Sequence, residues 1–150
     1  MIVCTRTDSG NKDFQQLVAA LDAFLAITDG EEHAFYDQFN KIVNIKNAVV
    51  AYEDGIPVGC GAIKAYSEQS VEVKRMFVRE EERGKGIASI ILKELETWAL
   101  EMKYTSCILE TGKRQSEAIS FYKKSNYTII PNFGQYKGVD NSVCFEKKLI

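Results

Sequence analysis

The apolar positions along the chain follow two rhythms. Residues 11–27 place Phe14, Leu17, Val18, Leu21, Phe24 and Leu25 at steps of three and four, which predicts an amphipathic helix. Residues 86–103 repeat that spacing, with Ile87, Ile90, Ile91, Leu95, Trp98, Ala99 and Met102 on one face, so a long helix with a core stripe is expected there. Shorter apolar runs at 2–5, 48–52, 56–66, 71–78, 106–110, 128–130 and 142–148 read as strands, and 116–125 reads as a last helix. Glu53-Asp54-Gly55 separates two of the strands. Asp-Gly between apolar runs predicts a tight hairpin, because both central turn positions need positive φ. Asp29-Gly30 breaks the first helix. Residues 31–40, acidic at their start, predict a second, shorter one.

The predicted order is β-α-α-β-β-β-α-β-α-β-β. Hairpin-linked antiparallel strands come first, and a later strand-helix-strand crossover demands a parallel pair. The expected class is α/β (α+β), with a mixed sheet carrying helices on both faces rather than a doubly wound parallel sheet. No repeat, low-complexity tract or Pro/Gly/Ser-rich linker divides the chain, so one domain spanning residues 1–150 is expected.

Composition narrows the partners. Apolar residues at 45% and charged residues at 27% are ordinary for a globular chain and exclude disordered and collagen-like classes. With 19 basic and 21 acidic side chains the formal net charge is −2. A nucleic-acid binder carries a basic excess or stripe, and an anionic membrane surface needs the same, so neither partner is expected. No apolar run approaches the ~20 residues of a transmembrane helix. The N-terminus lacks a basic region followed by an apolar core, so a cytoplasmic location is expected. Cys4, Cys60, Cys107 and Cys144 form no Cys-x-x-Cys pair and His33 is the only histidine. That pattern predicts buried, reduced thiols and no metal site.

The chemically informative stretch is Val78-Arg79-Glu80-Glu81-Glu82-Arg83-Gly84-Lys85-Gly86-Ile87-Ala88-Ser89. A strand ends, a charged loop follows, and a long helix begins at a glycine pair. The first N–H groups of a helix lack internal partners, and the helix dipole adds about half a positive charge there. Gly84 and Gly86 let an anion approach the backbone, and Arg83 and Lys85 add charge, so the segment predicts a phosphate or pyrophosphate cradle. A Walker A loop needs Ser or Thr after its Gly-Lys, and Lys85 is followed by Gly86. A dinucleotide G-x-G-x-x-G ends here in Ser89, and the strand before it is interrupted by Glu72, Lys74 and Arg75. An Arg/Gln-x-x-Gly-x-Gly/Ala loop is filled by Arg83, Gly86 and Ala88. Glu80-Glu81-Glu82 reads as a solvated loop beside basic partners.

That loop, together with Glu72-Val73-Lys74-Arg75-Met76-Phe77-Val78 and Ala118-Ile119-Ser120-Phe121-Tyr122-Lys123-Lys124-Ser125-Asn126-Tyr127, resembles the GNAT family of acetyl-CoA-dependent N-acetyltransferases. The resemblance covers most of the chain. Asp29-Gly30-Glu31-Glu32-His33, Pro131-Asn132-Phe133-Gly134-Gln135-Tyr136 and Ser142-Val143-Cys144-Phe145 look like a bacterial subgroup of small acetyltransferases. The resemblance implies a mostly antiparallel sheet of six or seven strands in which one parallel pair splays apart, with the pantetheine arm of CoA in the gap. Carried over, Met76, Phe77 and Val78 line that arm, with the Met76 N–H facing the thioester carbonyl. The amides of Arg83, Gly84, Lys85, Gly86, Ile87 and Ala88, with Ser89, hold the pyrophosphate. Gln115 stands where the family often has Asn. Asn126 stands where Gly is usual, and Asn tolerates a left-handed helix cap.

The same resemblance makes Tyr122 the acid that protonates the departing sulfur, and Glu72 a base for the amine. The plain alternatives are a packed helix tyrosine and an ion-paired strand carboxylate. His33, Tyr36 and Phe39 fall on the predicted second helix, on the acceptor side. His33 is a candidate base, Tyr36 and Tyr136 are candidate acceptor contacts, and packing or a dimer contact is the alternative for each. The implied activity is transfer from acetyl-CoA to a small-molecule or peptide amine, with a homodimer as a family analogy. A non-catalytic acyl-CoA binding or sensing module would keep the cradle without needing Tyr122 or Glu72. A dinucleotide-binding domain is disfavoured by Ser89 and the polar strand before the loop.

Overall fold

The computed structural model describes residues 1–29 and 45–150. In chain order the described elements are β1 (Ile2–Thr7), α1 (Lys12–Asp29), β2 (Asn47–Glu53), β3 (Ile56–Ala65), β4 (Ser70–Val78), α2 (Ile87–Glu101), β5 (Ser106–Gly112), α3 (Ser116–Lys124), β6 (Thr128–Ile130) and β7 (Ser142–Lys148). The seven strands form one sheet in the order β1-β2-β3-β4-β5-β7-β6, antiparallel throughout except for the β4–β5 pair. The expected α+β class with a mixed sheet is thereby met. The predicted helix at 31–40 lies outside the described residues.

Local rules set the boundaries. Asn11 accepts the Phe14 N–H on its side-chain oxygen at 2.9 Å, which starts α1 one residue after it. Asp54 (φ 51°) and Gly55 (φ 82°) both take left-handed backbone, as the β2–β3 turn requires. The long helix begins at Ile87 rather than Gly86, because Gly86 (φ 81°) turns the chain in the left-handed region. Asn126 (φ 72°) caps the end of α3 in the same region. Strands β1 and β5 run two residues beyond their apolar cores, to Thr7 and Gly112, because ladder pairing extends past the point where side chains need burial. The triple-glutamate loop closes as a short 3-10 turn, with the Glu82 N–H bonded to Arg79 O at 2.9 Å.

Two apolar layers sandwich the central strands. On one face α2 and α3 pack Ile87, Ile91, Leu92, Leu95 and Tyr122 against Val49, Val71, Val73, Leu109 and Phe145. On the other, α1 packs Phe14, Leu17 and Val18 against Val50, Cys60 and Ala62. Helices therefore lie on both faces. Trp98 and Met102 sit at the margin of the first core, half-buried against it. Cys60, Cys107 and Cys144 are buried free thiols, and Cys4 is half-buried.

Gly61 explains a close approach that periodicity alone does not show. A Cβ there would lie 2.6 Å from Met76 Sδ and 2.9 Å from Ile91 and Leu95 side-chain carbons, so only glycine lets α2 and the next strand press onto β3 at this point. Opposite it, β4 carries an extra residue. Lys74 pairs with Ala62 and Phe77 with Cys60, so Arg75 and Met76 together face the single residue Gly61 of β3. Arg75 takes φ 59° to make this bulge.

Candidate active site

The site begins where two strands separate. β4 and β5 pair only over Ser70↔Ser106, Val71↔Cys107 and Glu72↔Ile108. Beyond Glu72, β4 is paired only with β3, and residues 109–112 of β5 only with β7. A parallel pair that stops after three residues leaves a wedge in an otherwise continuous sheet. The wedge opens into a cleft of about 480 Å³ lined by β4 from Glu72 to Val78, the glycine mouth of α2, the end of β5, Gln115, Phe121, Tyr122 and Tyr136. Leu21, Phe24 and Leu25 of α1 wall its other side.

At the helix end, the cleft meets Gly84 (φ 82°) and Gly86 (φ 81°). A Cβ at either would meet no heavy atom within 4 Å, so the backbone faces open space. The first intrahelical bond starts at the Ile90 N–H, which donates to Gly86 O, so the N–H groups of Ile87, Ala88 and Ser89 have no upstream carbonyl within the helix. No side chain caps this terminus. Open space at an uncapped helix start is the form of an anion cradle. The two flanking cations are already engaged. Arg83 donates from Nε to Val78 O at 3.0 Å and lies 5.1 Å over the Phe24 ring and 5.7 Å over the Phe77 ring. Its backbone N–H donates to Glu80 O at 3.3 Å, so Arg83 braces the loop and α1. Lys85 Nζ is 3.1 Å from Glu82 Oε1.

Across the wedge, the lining groups divide by sheet face. Tyr122 belongs to the α2–α3 core, only 7% exposed, with ring contacts to Phe121, Tyr127 and Phe145. Burial alone pushes its phenol well above the ordinary range, so it stays a neutral O–H. On the opposite face stand Glu72, Lys74, Glu110 and Tyr136. Lys74 shares the face of its partner Ala62, and Glu110 the face of its partner Cys144. Glu72 is buried rather than solvated, with Lys74 Nζ 3.7 Å from its Oε2. Burial raises the Glu72 pKa against the pull of Lys74 and Lys64, and burial lowers that of Lys74 against the pull of Glu72. Glu110 Oε2 accepts the Ser142 hydroxyl at 2.7 Å. Tyr136 is buried beside Phe133, and its phenol is raised by burial and by the Glu110 and Glu72 charges.

The structure thus brings Glu72, Met76, Phe77, Val78, Arg83, Gly84, Gly86, Ile87, Ala88, Ser89, Gln115, Tyr122 and Tyr136 to one cleft. Lys85 stands beside it in the glycine mouth. His33 and Tyr36 lie outside the described residues. Sequence reasoning missed Lys74, Glu110 and Arg75. The Arg75 guanidinium donates to Asp22 Oδ1 at 2.7 Å and ties α1 to the bulge. Only the polar interruption of β4 signalled that its side chains face something other than core. Among the described residues no group of His, Cys, Asp and Glu is placed to hold a metal ion. No described helix is long and apolar enough to cross a membrane.

A family model described as Acetyltransferase (GNAT) family matches residues 15–127. The chain belongs to that family. This chain is thus an acyl-transferring enzyme, and it carries a wedge between β4 and β5. An IAA acetyltransferase from Azospirillum brasilense is 33% identical over 136 residues, 89% of each chain. A Klebsiella pneumoniae structure assigned to the acyl-CoA N-acyltransferases superposes with a TM-score of 0.84 at 28% identity, covering 100% of this chain and 99% of its own. The PaiA N-acetyltransferase of Thermoplasma acidophilum, solved with coenzyme A, shares the fold at a TM-score of 0.74 and 19% identity over 99% of each chain. A GNAT family acetyltransferase from Elizabethkingia anophelis, solved with acetyl-CoA bound, shares the fold at a TM-score of 0.72 and 17% identity.

Proposed function

We propose that residues 1–150 act as one N-acetyltransferase domain that transfers an acetyl group from acetyl-CoA to a primary amine, both substrates being held together in the cleft. The observation that carries this reading is the wedge itself. It joins an uncapped helix start at one end to a phenol on one sheet face and a carboxylate on the other. The chain's own groups fit the donor. Amides and open space suit a diphosphate at Gly84, Gly86, Ile87, Ala88 and Ser89, and a half-apolar slot along Met76, Phe77, Val78 and Gln115 suits a pantetheine arm.

Acetyl-CoA supplies the activated acyl group as a thioester. The protein does the rest. The cradle and β4 fix the donor in line with the acceptor, which replaces a chance encounter by a held geometry. The Met76 N–H, at the bulge where two residues of β4 face Gly61 of β3, is assigned as the donor to the acyl oxygen as charge grows there. An ammonium has no lone pair, so the acceptor must lose a proton before it attacks. Glu72 takes that proton at a carboxylate oxygen, directly or through water. Its raised pKa makes it a stronger base than a solvated glutamate. Tyr122 gives its Oη proton to the leaving sulfur and recovers one from water. Tyr136 borders the acceptor side.

Measuring CoA release over a panel of primary amines, with Tyr122→Phe beside wild type, tests this reading. Wild-type release that collapses in the variant supports it. Undiminished turnover in the variant removes the acid assignment, and no release with any amine removes the transfer reading.

A further inference from the structure

We propose that Lys74 is an internal acyl acceptor: with acetyl-CoA in the cleft and no external amine, the enzyme acetylates its own Lys74 Nζ. The inference rests on the acetyl-transfer reading above and extends it to a modification site on the chain itself.

An acceptor must bring an amine to the far side of the wedge, keep it from bulk water, and set it beside a group that takes its proton. Lys74 does all three. It lines the same cleft as Met76 and Tyr122, on the sheet face opposite Tyr122. Its side chain is only 9% exposed, and its Nζ lies 3.7 Å from Glu72 Oε2. It precedes Met76 by two positions, across the Arg75 bulge. A flexible four-carbon stem spans that separation. Burial lowers its pKa, so more of it is neutral amine than in a solvated lysine. Among the described residues no other lysine lines the cleft. Lys85 is 55% exposed and paired with Glu82, and Lys124 and Lys148 are exposed.

The step balances without any oxidant or reductant. The Nζ ammonium passes a proton to Glu72. The freed lone pair forms a C–N bond to the acyl carbon as the C–S bond breaks, its electron pair leaving on sulfur, and the nitrogen sheds its second proton to water as it becomes a neutral amide. Sulfur takes a proton from Tyr122 or water. The products are acetylated Lys74 and CoA, and the positive charge beside Glu72 is gone.

The test incubates the purified full chain with acetyl-CoA and no amine, followed by intact mass and peptide mapping at two protein concentrations. The expected result is one acetyl group per chain, found at Lys74 before Lys85, Lys124 or Lys148. Its half-time should not depend on protein concentration, and the site preference should disappear in urea-unfolded chain. Lys74→Arg should lose the modification. Mapping on wild type decides the matter if that variant misfolds. Acetylation that follows exposure, or an unmodified Lys74 in a preparation that releases CoA with external amines, overturns the inference and leaves the transfer reading standing. No acetyl group on the chain and no CoA release with any amine removes both.

Discussion

At one end of the cleft the groups on offer are backbone N–H groups at the start of α2; at the other they are side chains from β4, β5, α3 and the loop before β7. The backbone end is set by φ angles at two glycines and by where a helix begins. Its geometry is indifferent to which side chains surround it. The side-chain end is a buried cluster in which burial raises the Glu72 pKa and lowers that of Lys74, while each charge holds back the other's shift. A shared donor can be held by the first kind of site, while acceptor choice can change through the second without disturbing the first.

The largest expected separation of the two ends comes from Tyr122→Phe. Loss of the phenolic proton should lower kcat about 100-fold, the low end for a general acid, while the Kd for acetyl-CoA holds. Steady-state kinetics beside calorimetry reads both; a matching loss of affinity would merge the two ends. Gly86→Val should do the reverse. Forcing a β-branched residue to φ 81° costs about 1–2 kcal/mol and its methyls fill the open mouth, so donor affinity should fall about tenfold or more. Circular dichroism checks that α2 persists.

Glu72→Gln sharpens the comparison through pH. Glu72 acts as a base only when ionised, so wild-type kcat/KM should fall as pH drops through its raised pKa, above the usual carboxylate range. The amide should lose that acidic limb and most of the rate. Stability has its own sign. The folded chain keeps a Glu72 proton that the unfolded chain has released, so this group's contribution is present at low pH and fades as pH rises through the folded pKa. Thermal melts across pH should show that slope flattened in Glu72→Gln. The smallest effect belongs to Lys85→Gln. An exposed pair with Glu82 is screened, so donor affinity should stay within about threefold of wild type. A larger drop would mean that the cradle relies on side-chain charge after all.

The two ends were unequally legible in the sequence. Glycines that must take positive φ and a helix that must start leave marks at fixed spacings, so Gly84, Gly86 and the start of α2 could be read directly. Asp54-Gly55 and Asn126 were legible for the same reason. The face-to-face cluster was not, because Lys74 and Glu110 are brought together by a parallel pairing that ends after Glu72, and nothing local encodes where pairing ends. The bulge at Arg75 was hidden because it exists only in the pairing with the neighbouring strand, where Gly61 faces two residues. Arg83 reads as a phosphate-binding cation by position. Its guanidinium donates from Nε to Val78 O and lies over two rings, a tertiary arrangement that spacing does not reveal.

The central claim is that the wedge and the α2 start together grip an acyl-CoA. Amide NMR on the full chain, titrated with CoA, tests it most directly. The account predicts that the resonances of Met76, Val78, Gly86, Ile87, Ala88 and Ser89 shift together with saturating CoA, while those of β1 and β2 stay put. CoA that binds while these amides remain unmoved would contradict it.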